Sequence, residues 1–369
     1  MIDNIIPQFR VFMAPDITTE LDEVFQSGYI GQGPKVEKFE DILKSKLFAN
    51  HLITVNSGTS ALWLALHLIG IGPGDKVIST PMTCSATNEV IHLLGAEIIW
   101  ADVDEWGNIN TIDVASKMNN DIKAIMAVDW GGIPCDYQSL KEIAGDVPIV
   151  EDAAHAFLSL YRRRSLFNAG ADYICYSFQA IKHLTTGDGG ALITPSEQYE
   201  RAKLLRWYGL DRTKNDAMRC RQDITEAGFK FHMNDINATI GLENIKYTSD
   251  LIEKTRDNAT YYDRKLSPLG ISLIEREYSF SSYWLYTIHI KQPLEFESYM
   301  KKHGVMVSQT HNRNDEFTIF EKYKTRLPNL DNWFSTMCCI PVGWWVTETD
   351  RKYIAGLVES WVVDGAEDA

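Results

Sequence analysis

Residues 177–190 read SFQAIKHLTTGDGG and lie between two segments with the composition of β-strands, residues 173–176 and residues 191–194. The run is therefore predicted to form an irregular turn. Lys182 lies inside it, where partial desolvation lowers the pKa of an ammonium group and frees the amine as a nucleophile and base. The glycines let the backbone approach a bound group closely. Most lysines beside such turns are surface residues, so Lys182 has to be judged by what accompanies it.

Two further segments complement a reactive amine. Residues 147–156 read VPIVEDAAHA, a short strand of buried type that leads to Asp152. Residues 56–62 read NSGTSAL, a strand-to-helix turn whose free backbone N–H groups are suited to phosphate. Helix capping alone is an alternative role for Asp152 and for the turn at Ser57. Together the three segments supply what pyridoxal phosphate needs: an amine for the imine, an anion for the pyridinium nitrogen and an anion-binding turn for the phosphate.

Composition restricts the class of protein. The chain has 369 residues, 45% hydrophobic and 23% charged, which predicts two domains or one large one with an ample core. The formal net charge of -14 argues against nucleic acid or an acidic membrane as partner. Six cysteines without CxxC spacing indicate reduced thiols and a cytoplasmic protein. The sequence shows neither a membrane-spanning apolar run nor a signal peptide.

The order of predicted elements indicates an α/β fold. Strand-like and helix-like segments alternate from residue 51 to about residue 194, which predicts a largely parallel sheet with helices on both faces. The predicted strands are residues 52–55, 76–79, 97–101, 122–128, 147–150, 173–176 and 191–194. Ligands on such sheets bind beyond the carboxyl ends of strands, where Asp152 and the Ser57 turn are both expected.

The rest of the chain predicts a smaller α+β unit. A helical run from residue 236 to about residue 266 is long enough to join two domains. Strands are predicted at residues 271–274 and 283–290, and helices near residues 296–303 and 350–362.

Two segments invite a ligand-binding interpretation that their context disfavours. Residues 27–34, SGYIGQGP, contain glycines typical of dinucleotide sites, but no strand precedes them and Pro34 follows, so a loop bordering a site is favoured. Residues 102–107, DVDEWG, are similar to a calcium loop, yet Trp106 occupies a liganding position without a side-chain oxygen. A strand-end turn is the favoured interpretation, and no metal site is predicted.

These segments, taken in order, resemble the sugar-nucleotide aminotransferases of the DegT/DnrJ/StrS family. The resemblance extends from residues 27–34 to residues 340–342 and is carried by three motifs. The motifs are SGTSAL at 57–62, EDAAHA at 151–156, and Ser177-Phe178 with Lys182 and GDGG at 187–190. It implies a pyridoxal-phosphate-dependent transferase of fold type I, similar to aspartate aminotransferase. The implied domains are a large α/β domain over residues 1–245 and a small C-terminal α+β domain over residues 246–369.

The resemblance also implies roles for single residues. Lys182 resembles the family's Schiff-base lysine, and Asp152 resembles the partner of the pyridinium nitrogen. His155 lies where the family has a His or Gln near the ring hydroxyl of the cofactor. The expected phosphate contacts are Ser177, Gly58, Thr59 and Ser60, with Lys230 at the position from which a neighbouring subunit reaches the phosphate. A homodimer with two shared active sites is therefore implied.

Two departures from the family pattern affect the ring and the substrate. Many members have an aromatic residue that stacks on the cofactor ring where this chain has Cys84. Residues 310–315 read THNRND where the family often has a His-Pro-rich segment. Tyr29, His183 and His311 are the predicted substrate contacts, and an ordinary packed or solvated side chain is an equally valid interpretation of each.

The implied reaction is the transfer of an amino group from glutamate to a keto sugar of a nucleotide-linked hexose, with a 4-keto-6-deoxyhexose expected. Such an enzyme would serve deoxysugar or polysaccharide biosynthesis in the cytoplasm. The alternatives are a sugar dehydratase of the same family, another lyase or aldolase of this fold, and a non-catalytic regulator. Because the dehydratases carry His in place of the lysine, Lys182 argues against the first alternative.

Overall fold

The computed structural model describes residues 5–212, 221–273 and 277–364. The strands in these ranges are β1 (Leu52–Val55), β2 (Lys76–Ser79), β3 (Glu97–Trp100), β4 (Ile122–Val128), β5 (Ile149–Asp152), β6 (Leu160–Tyr161), β7 (Arg164–Ser165), β8 (Tyr173–Ser177), β9 (Gly190–Ile193), β10 (Ser279–Phe280), β11 (Tyr286–His289) and β12 (Met337–Ile340). The helices are α1 (Ile17–Ser27), α2 (Pro34–Leu47), α3 (Gly58–Ile69), α4 (Ser85–Leu93), α5 (Thr111–Lys117), α6 (Tyr137–Ala144), α7 (Tyr199–Leu205), α8 (Asp235–Leu266), α9 (Pro293–Lys302), α10 (Pro328–Thr336) and α11 (Glu348–Asp364).

The central sheet has the strand order β1-β9-β8-β5-β4-β2-β3. Strand β9 runs antiparallel to both of its neighbours, whereas the other pairs are parallel. The strands other than β9 therefore end at one common edge, where ligands of α/β sheets bind. This arrangement confirms the predicted α/β class with a mainly parallel sheet.

Helices cover both faces of the sheet, which explains why its strands are short apolar runs rather than alternating patterns. Residues of β1, β5 and β9 are buried throughout. One core contains apolar side chains of α2, α5, α6 and α8. The opposite core contains those of α3, α4 and α7. Both layers hold the strand ends in fixed positions.

The long helix α8 links this body to the C-terminal elements. It is capped by Asn234, whose side chain accepts a hydrogen bond from the Asn237 N–H, and its 32 residues span about 48 Å. Tyr262 and Leu266, near its end, join a third core with β11, β12, α9 and α11. The predicted domain boundary after residue 245 falls inside this helix, and the division into two domains stays a prediction.

The C-terminal strands were less well predicted than those of the central sheet. Residues 271–273 form no strand, and Ile274 lies outside the described residues. The strand predicted at residues 283–290 is reduced to β11, which pairs with β12. Among the described helices, none combines the length and apolarity needed to cross a bilayer.

Residues 27–34 and residues 102–107, which the sequence analysis considered as ligand-binding segments, lie at the ends of helices and take part in capping them. Gly28, at φ 71°, ends α1, and the Asp235 carboxylate accepts hydrogen bonds from the N–H groups of Gly33 and Val36 at the start of α2. The Asp102 carboxylate accepts hydrogen bonds from the N–H groups of Asn329 and Leu330 in the first turn of α10. Carboxylates satisfy otherwise unpaired amides and favour the positive end of a helix dipole.

Candidate active site

A cavity of about 340 Å³ lies at the carboxyl edge of the central sheet. The predicted site residues that line it are Gly58, Thr59, Cys84, Asp152, His155, Ser177, Lys182 and His311. They follow different strands in the sequence, and the common strand direction brings them together.

One end of the cavity is formed by the N-terminus of α3. Ser57 caps the helix, since its Oγ accepts a hydrogen bond from the Ser60 N–H at 3.0 Å. The other amides of the first turn have no carbonyl partner within the helix, and amides in this position are suited to an anion. A Cβ atom at Gly58 would lie 2.8 Å from the Cβ of Ser177, so only glycine permits this close approach. The Ser177 hydroxyl is thereby brought to the same end of the cavity.

Lys182 projects from the turn between β8 and β9. The turn is held by hydrogen bonds from the Lys182 N–H to Gln179 O and from the Thr186 N–H to Phe178 O, each 2.9 Å long. Burial lowers the pKa of the Lys182 amine to about 8, against the opposing negative charge of Asp152. A much larger fraction of this amine is uncharged near neutral pH than for an ordinary lysine, so it is a competent nucleophile and base.

Asp152 is the last residue of β5 and is 5% exposed. Its carboxylate accepts hydrogen bonds from the Thr87 hydroxyl at 2.7 Å and from the Ala154 N–H at 3.1 Å. Burial raises the pKa of this carboxyl, while both hydrogen bonds and the positive charge of Lys182 oppose the rise. None of the described residues that line the cavity is an arginine. A buried carboxylate without a guanidinium partner is suited to a cationic ring nitrogen of a ligand.

His155 is buried and held in one tautomer. Its Nδ1 accepts a hydrogen bond from the Gly131 N–H at 3.3 Å, so the proton of the neutral ring is on Nε2. Burial, followed by the positive charge of Lys182, holds the pKa of His155 well below its ordinary value. The imidazole is therefore a neutral N–H donor. A Gln side chain offers the same donor, in agreement with the family pattern at this position.

His311 lines the same cavity from the C-terminal part of the chain. Its ring lies parallel to that of His155, with centroids 5.7 Å apart. Its buried Nε2 has no hydrogen-bond partner among the described residues, and burial lowers its pKa to about 4. The loop that carries it is fixed by Asn314, which donates to Thr83 O at 2.9 Å and accepts from Asn88 at 2.8 Å. A neutral imidazole with a free nitrogen is available to a substrate hydroxyl.

Four predicted site residues do not line this cavity. The Ser60 hydroxyl donates to the Asn56 side chain at 2.6 Å and is used within the turn. His183 does not line the cavity, and burial lowers its pKa to about 3. Tyr29 is 63% exposed and lines a separate groove of about 730 Å³. Lys230 is exposed, with its Nζ 5.4 Å from the centroid of Trp207.

Trp284 and Thr87 are two of the lining residues that sequence reasoning did not assign to the site. Trp284 stacks on His155 with ring centroids 3.9 Å apart, and it precedes β11, far from the motifs in sequence. Thr87 holds Asp152 from α4 and is itself 2.8 Å from the Thr83 hydroxyl. The only sequence signal for Thr87 is its position shortly after the Cys84 segment, whereas Trp284 has no local signal at all.

The chemistry of the cavity suits pyridoxal phosphate. The α3 N-terminus and Ser177 would hold the phosphate, Asp152 would face the ring nitrogen, and Lys182 would reach the aldehyde. The close approach at Gly58, the lowered amine pKa and the buried carboxylate meet the three requirements of that cofactor.

Comparison with known proteins agrees with this chemistry. The model of the DegT/DnrJ/EryC1/StrS aminotransferase family matches residues 12–359. A relative from Campylobacter jejuni, UDP-4-amino-4,6-dideoxy-N-acetyl-beta-L-altrosamine transaminase, is 27% identical over 92% of this chain and 92% of its own length.

Two solved structures share the fold over almost their whole length. AtS13 from Actinomadura melliaura is 37% identical with a TM-score of 0.93, covering 98% of this chain and 100% of the other. The sugar aminotransferase CalS13 from Micromonospora echinospora is 33% identical with a TM-score of 0.92, covering 96% of this chain and 99% of the other. The predicted family and fold class are confirmed.

Proposed function

This chain belongs to the DegT/DnrJ/EryC1/StrS aminotransferase family, whose members depend on pyridoxal phosphate, and we propose that it aminates a keto sugar of a nucleotide-linked hexose. The proposed amino donor is L-glutamate, and the proposed acceptor is a 4-keto-6-deoxyhexose. The sugar-nucleotide class is supported by the name of the Campylobacter relative. The choice of glutamate rests on the family resemblance.

One observation carries the proposal: a single cavity contains Lys182, Asp152 and the N-terminus of α3. Bound pyridoxal phosphate supplies an aldehyde carbon that bonds to amines and a ring that accepts the electrons released when a neighbouring C–H bond loses its proton. Each end of that molecule has a partner of matching chemistry among the residues of the cavity.

Lys182 has two tasks in this proposal. Its uncharged amine would hold the cofactor through a covalent bond to the aldehyde carbon. When an amino donor occupies that carbon, the free amine would move a proton to and from the reacting carbon as a general base and acid, which favours a pKa near the working pH. The pKa of about 8 meets that requirement.

Asp152 and His155 hold the ring in the state that the reaction needs. The Asp152 carboxylate would keep the ring nitrogen protonated, because a negative charge in a buried site stabilises a neighbouring cation. The His155 Nε2–H would donate to the ring hydroxyl. Thr87 keeps the carboxylate of Asp152 oriented.

We further propose that the cavity is completed by a second copy of the chain in a homodimer. Lys230 lies outside the cavity of its own chain, beside Trp207. Tyr29 is near the same region, because Arg212 stacks on Trp207 and donates to Gln32 O at 2.9 Å. In the proposed dimer this exposed face supplies Lys230 to the phosphate of the partner site, and Tyr29 contacts the substrate.

Particular residues argue against two of the alternative functions. A dehydratase of this family has His where this chain has Lys182, so the amine favours transamination. A non-catalytic regulator has no need of an amine with a pKa near 8 beside a buried carboxylate. A lyase or aldolase of the same fold would use the same cofactor residues and differs in its substrate contacts.

The function is tested by adding L-glutamate to the protein loaded with pyridoxal phosphate and following the absorbance of the bound cofactor. We expect the yellow colour to bleach and to return when the correct keto sugar nucleotide is added, with an amino sugar as product. A panel of keto sugar nucleotides identifies the acceptor. A protein that binds the cofactor and does not bleach with any amino acid would refute transamination.

A further inference from the structure

We propose that Trp284 is a positioning residue for this reaction: its indole holds the Lys182 amine and the His155 imidazole, and Phe9 of the N-terminal segment supports the indole. The inference rests on the proposed function, because it concerns how the amine is presented to pyridoxal phosphate.

Three contacts place Trp284 at the centre of the amine end of the cavity, which is the end that contains Lys182 and Asp152. The Lys182 Nζ lies 3.6 Å from the centroid of its ring, well within the distance of a cation–π interaction. The His155 ring stacks on it with an interplanar angle of 22°. Its Nε1–H donates a hydrogen bond of 2.9 Å to the carbonyl of Ile181, the residue before the lysine. One side chain therefore contacts the nucleophile, its backbone and the hydrogen-bond donor.

The contact with Lys182 has a consequence for the reaction. A lysine side chain has several rotatable bonds, and its charged end prefers water. The amine is nevertheless required inside the cavity whenever it is not bound to the cofactor. The electron-rich indole face attracts the ammonium form and offsets part of its desolvation. Trp284 thus keeps the free amine close to the reacting atoms.

Trp284 also supplies an aromatic ring in a cavity that has Cys84 at the position of the usual aromatic residue. Among the described residues that line the cavity, Trp284 is the one with a Trp, Tyr or Phe ring. The indole is 6% exposed, so its orientation is set by packing.

The N-terminal segment supports the indole. Phe9 stacks on Trp284 with ring centroids 5.0 Å apart. The segment is anchored to the C-terminal elements: Gln8 donates to the Thr310 hydroxyl at 2.9 Å, and the Trp345 Nε1–H donates to Pro7 O at 2.9 Å. Phe9 is therefore held in place and acts on Lys182 only through Trp284.

The test measures covalent capture of pyridoxal phosphate by the full-length protein stripped of cofactor. Borohydride reduction at timed intervals traps the bond to Lys182, and mass spectrometry of the peptide gives the rate without any substrate turnover. The variants are Trp284→Leu, Trp284→Phe and Phe9→Leu. Trp63→Leu is the control, because it removes an indole of α3 that does not line the cavity.

We expect Trp284→Leu to slow capture about tenfold, Trp284→Phe to recover most of the rate, and Trp63→Leu to match the wild type. Phe9→Leu is expected to slow capture less than Trp284→Leu does. The double variant is expected to be no slower than Trp284→Leu alone, because Phe9 acts through the Trp284 ring. Thermal unfolding of each variant checks the fold.

Two results would overturn the inference: capture by Trp284→Leu at the wild-type rate, or a folded Trp284→Phe that is as slow as Trp284→Leu. If Trp284→Leu does not fold, the capture rates of Trp284→Phe and Phe9→Leu test the inference instead. The inference requires Phe9→Leu to capture the cofactor more slowly than the wild type. Failure of the proposed function has a different signature: the wild-type protein itself would then either show no attachment at Lys182 or capture the cofactor without bleaching on addition of an amino acid.

Discussion

The two ends of the cavity are built in different ways. The end that is proposed to bind the phosphate (the phosphate end) consists mainly of backbone, the first turn of α3, with Gly58 packed against Ser177. The amine end consists of side chains from distant segments, with Lys182, Asp152 and Trp284 meeting only in the folded chain. A binding site made of backbone amides can be encoded by a short contiguous motif. A site made of side chains from distant segments forms only when the whole sheet has folded.

The two ends also differ in electrostatics. Backbone amides carry fixed partial charges that do not titrate, so the phosphate end is insensitive to pH. The amine end contains groups whose charged forms are disfavoured by burial, since the pKa of Lys182 is lowered and that of Asp152 is raised. Variants at the two ends should therefore have different defects. Variants at the amine end should lower the rate of the chemical step, and variants at the phosphate end should weaken retention of the cofactor.

The largest effect is expected from Lys182→Ala, which removes both the nucleophile and the proton carrier. Transamination should fall by about 10⁴-fold or more, and the absorbance of the covalently bound cofactor should disappear. The rate of bleaching with glutamate in a stopped-flow spectrometer measures the change. Retention of transamination by this variant would refute the assignment of the amine end.

Asp152→Asn should come next, because it keeps the shape of the side chain and removes its charge. We expect the glutamate half-reaction to slow by about 10²-fold to 10³-fold, while the cofactor is still bound. Equilibrium dialysis measures binding, and stopped-flow absorbance measures the rate. Wild-type rates would show that another group sets the protonation of the ring nitrogen.

Gly58→Ala tests the phosphate end. The added Cβ would lie 2.8 Å from the Cβ of Ser177, and the strain should cost about 1–3 kcal/mol and weaken retention of the cofactor. The rate constant of the chemical step at saturating cofactor should change far less than in Asp152→Asn.

Gly72→Ala is the matched control for Gly58→Ala, because no atom lies within 4 Å of a Cβ placed there. Equal retention of pyridoxal phosphate in the two variants would argue that the close approach at Gly58 has no part in phosphate binding.

The pH dependence separates the two ends directly. Because the folded pKa of Lys182 is lowered from 10.5 to about 8, covalent capture should rise about tenfold per pH unit up to about pH 8 and then level off. The unfolded chain binds this proton more tightly, so the contribution of Lys182 to stability increases between about pH 8 and 10.5. Binding of inorganic phosphate should not follow the same curve, and a rate of capture that still climbed at pH 10 would contradict the assignment.

The smallest effect is expected from Lys230→Ala, which tests the proposed contribution of the partner chain. Removing one exposed cation near a phosphate should weaken cofactor affinity by a few-fold to about tenfold, more at low salt than at high salt. Lys76→Ala, at the start of β2, is the control, since it lies at the opposite end of that strand from the cavity edge. Unchanged affinity would mean that another group completes the phosphate site.

Much of the sheet was predictable because its strands are buried on both faces and read as short apolar runs. β1, β2 and β4 begin and end where the sequence places them. β5 was predicted at residues 147–150 but comprises Ile149–Asp152. The difference arises because its last two residues, Glu151 and Asp152, are polar and yet buried. The hairpin of β6 and β7 was not predicted, since its turn holds Arg162 and Arg163 at positive φ without the glycine that usually marks such a turn.

The sequence alone determined the fold class, the family and the three motifs, because each depends on residues that are adjacent in the chain and on strand spacing. The tertiary structure decided the rest. It placed His311 and Trp284 in one cavity with Lys182, and it left Tyr29, Lys230 and His183 outside the lining of that cavity. The physical reason is that pKa values, stacking and cavity walls depend on burial and on contacts between residues far apart in the sequence, which no local pattern encodes.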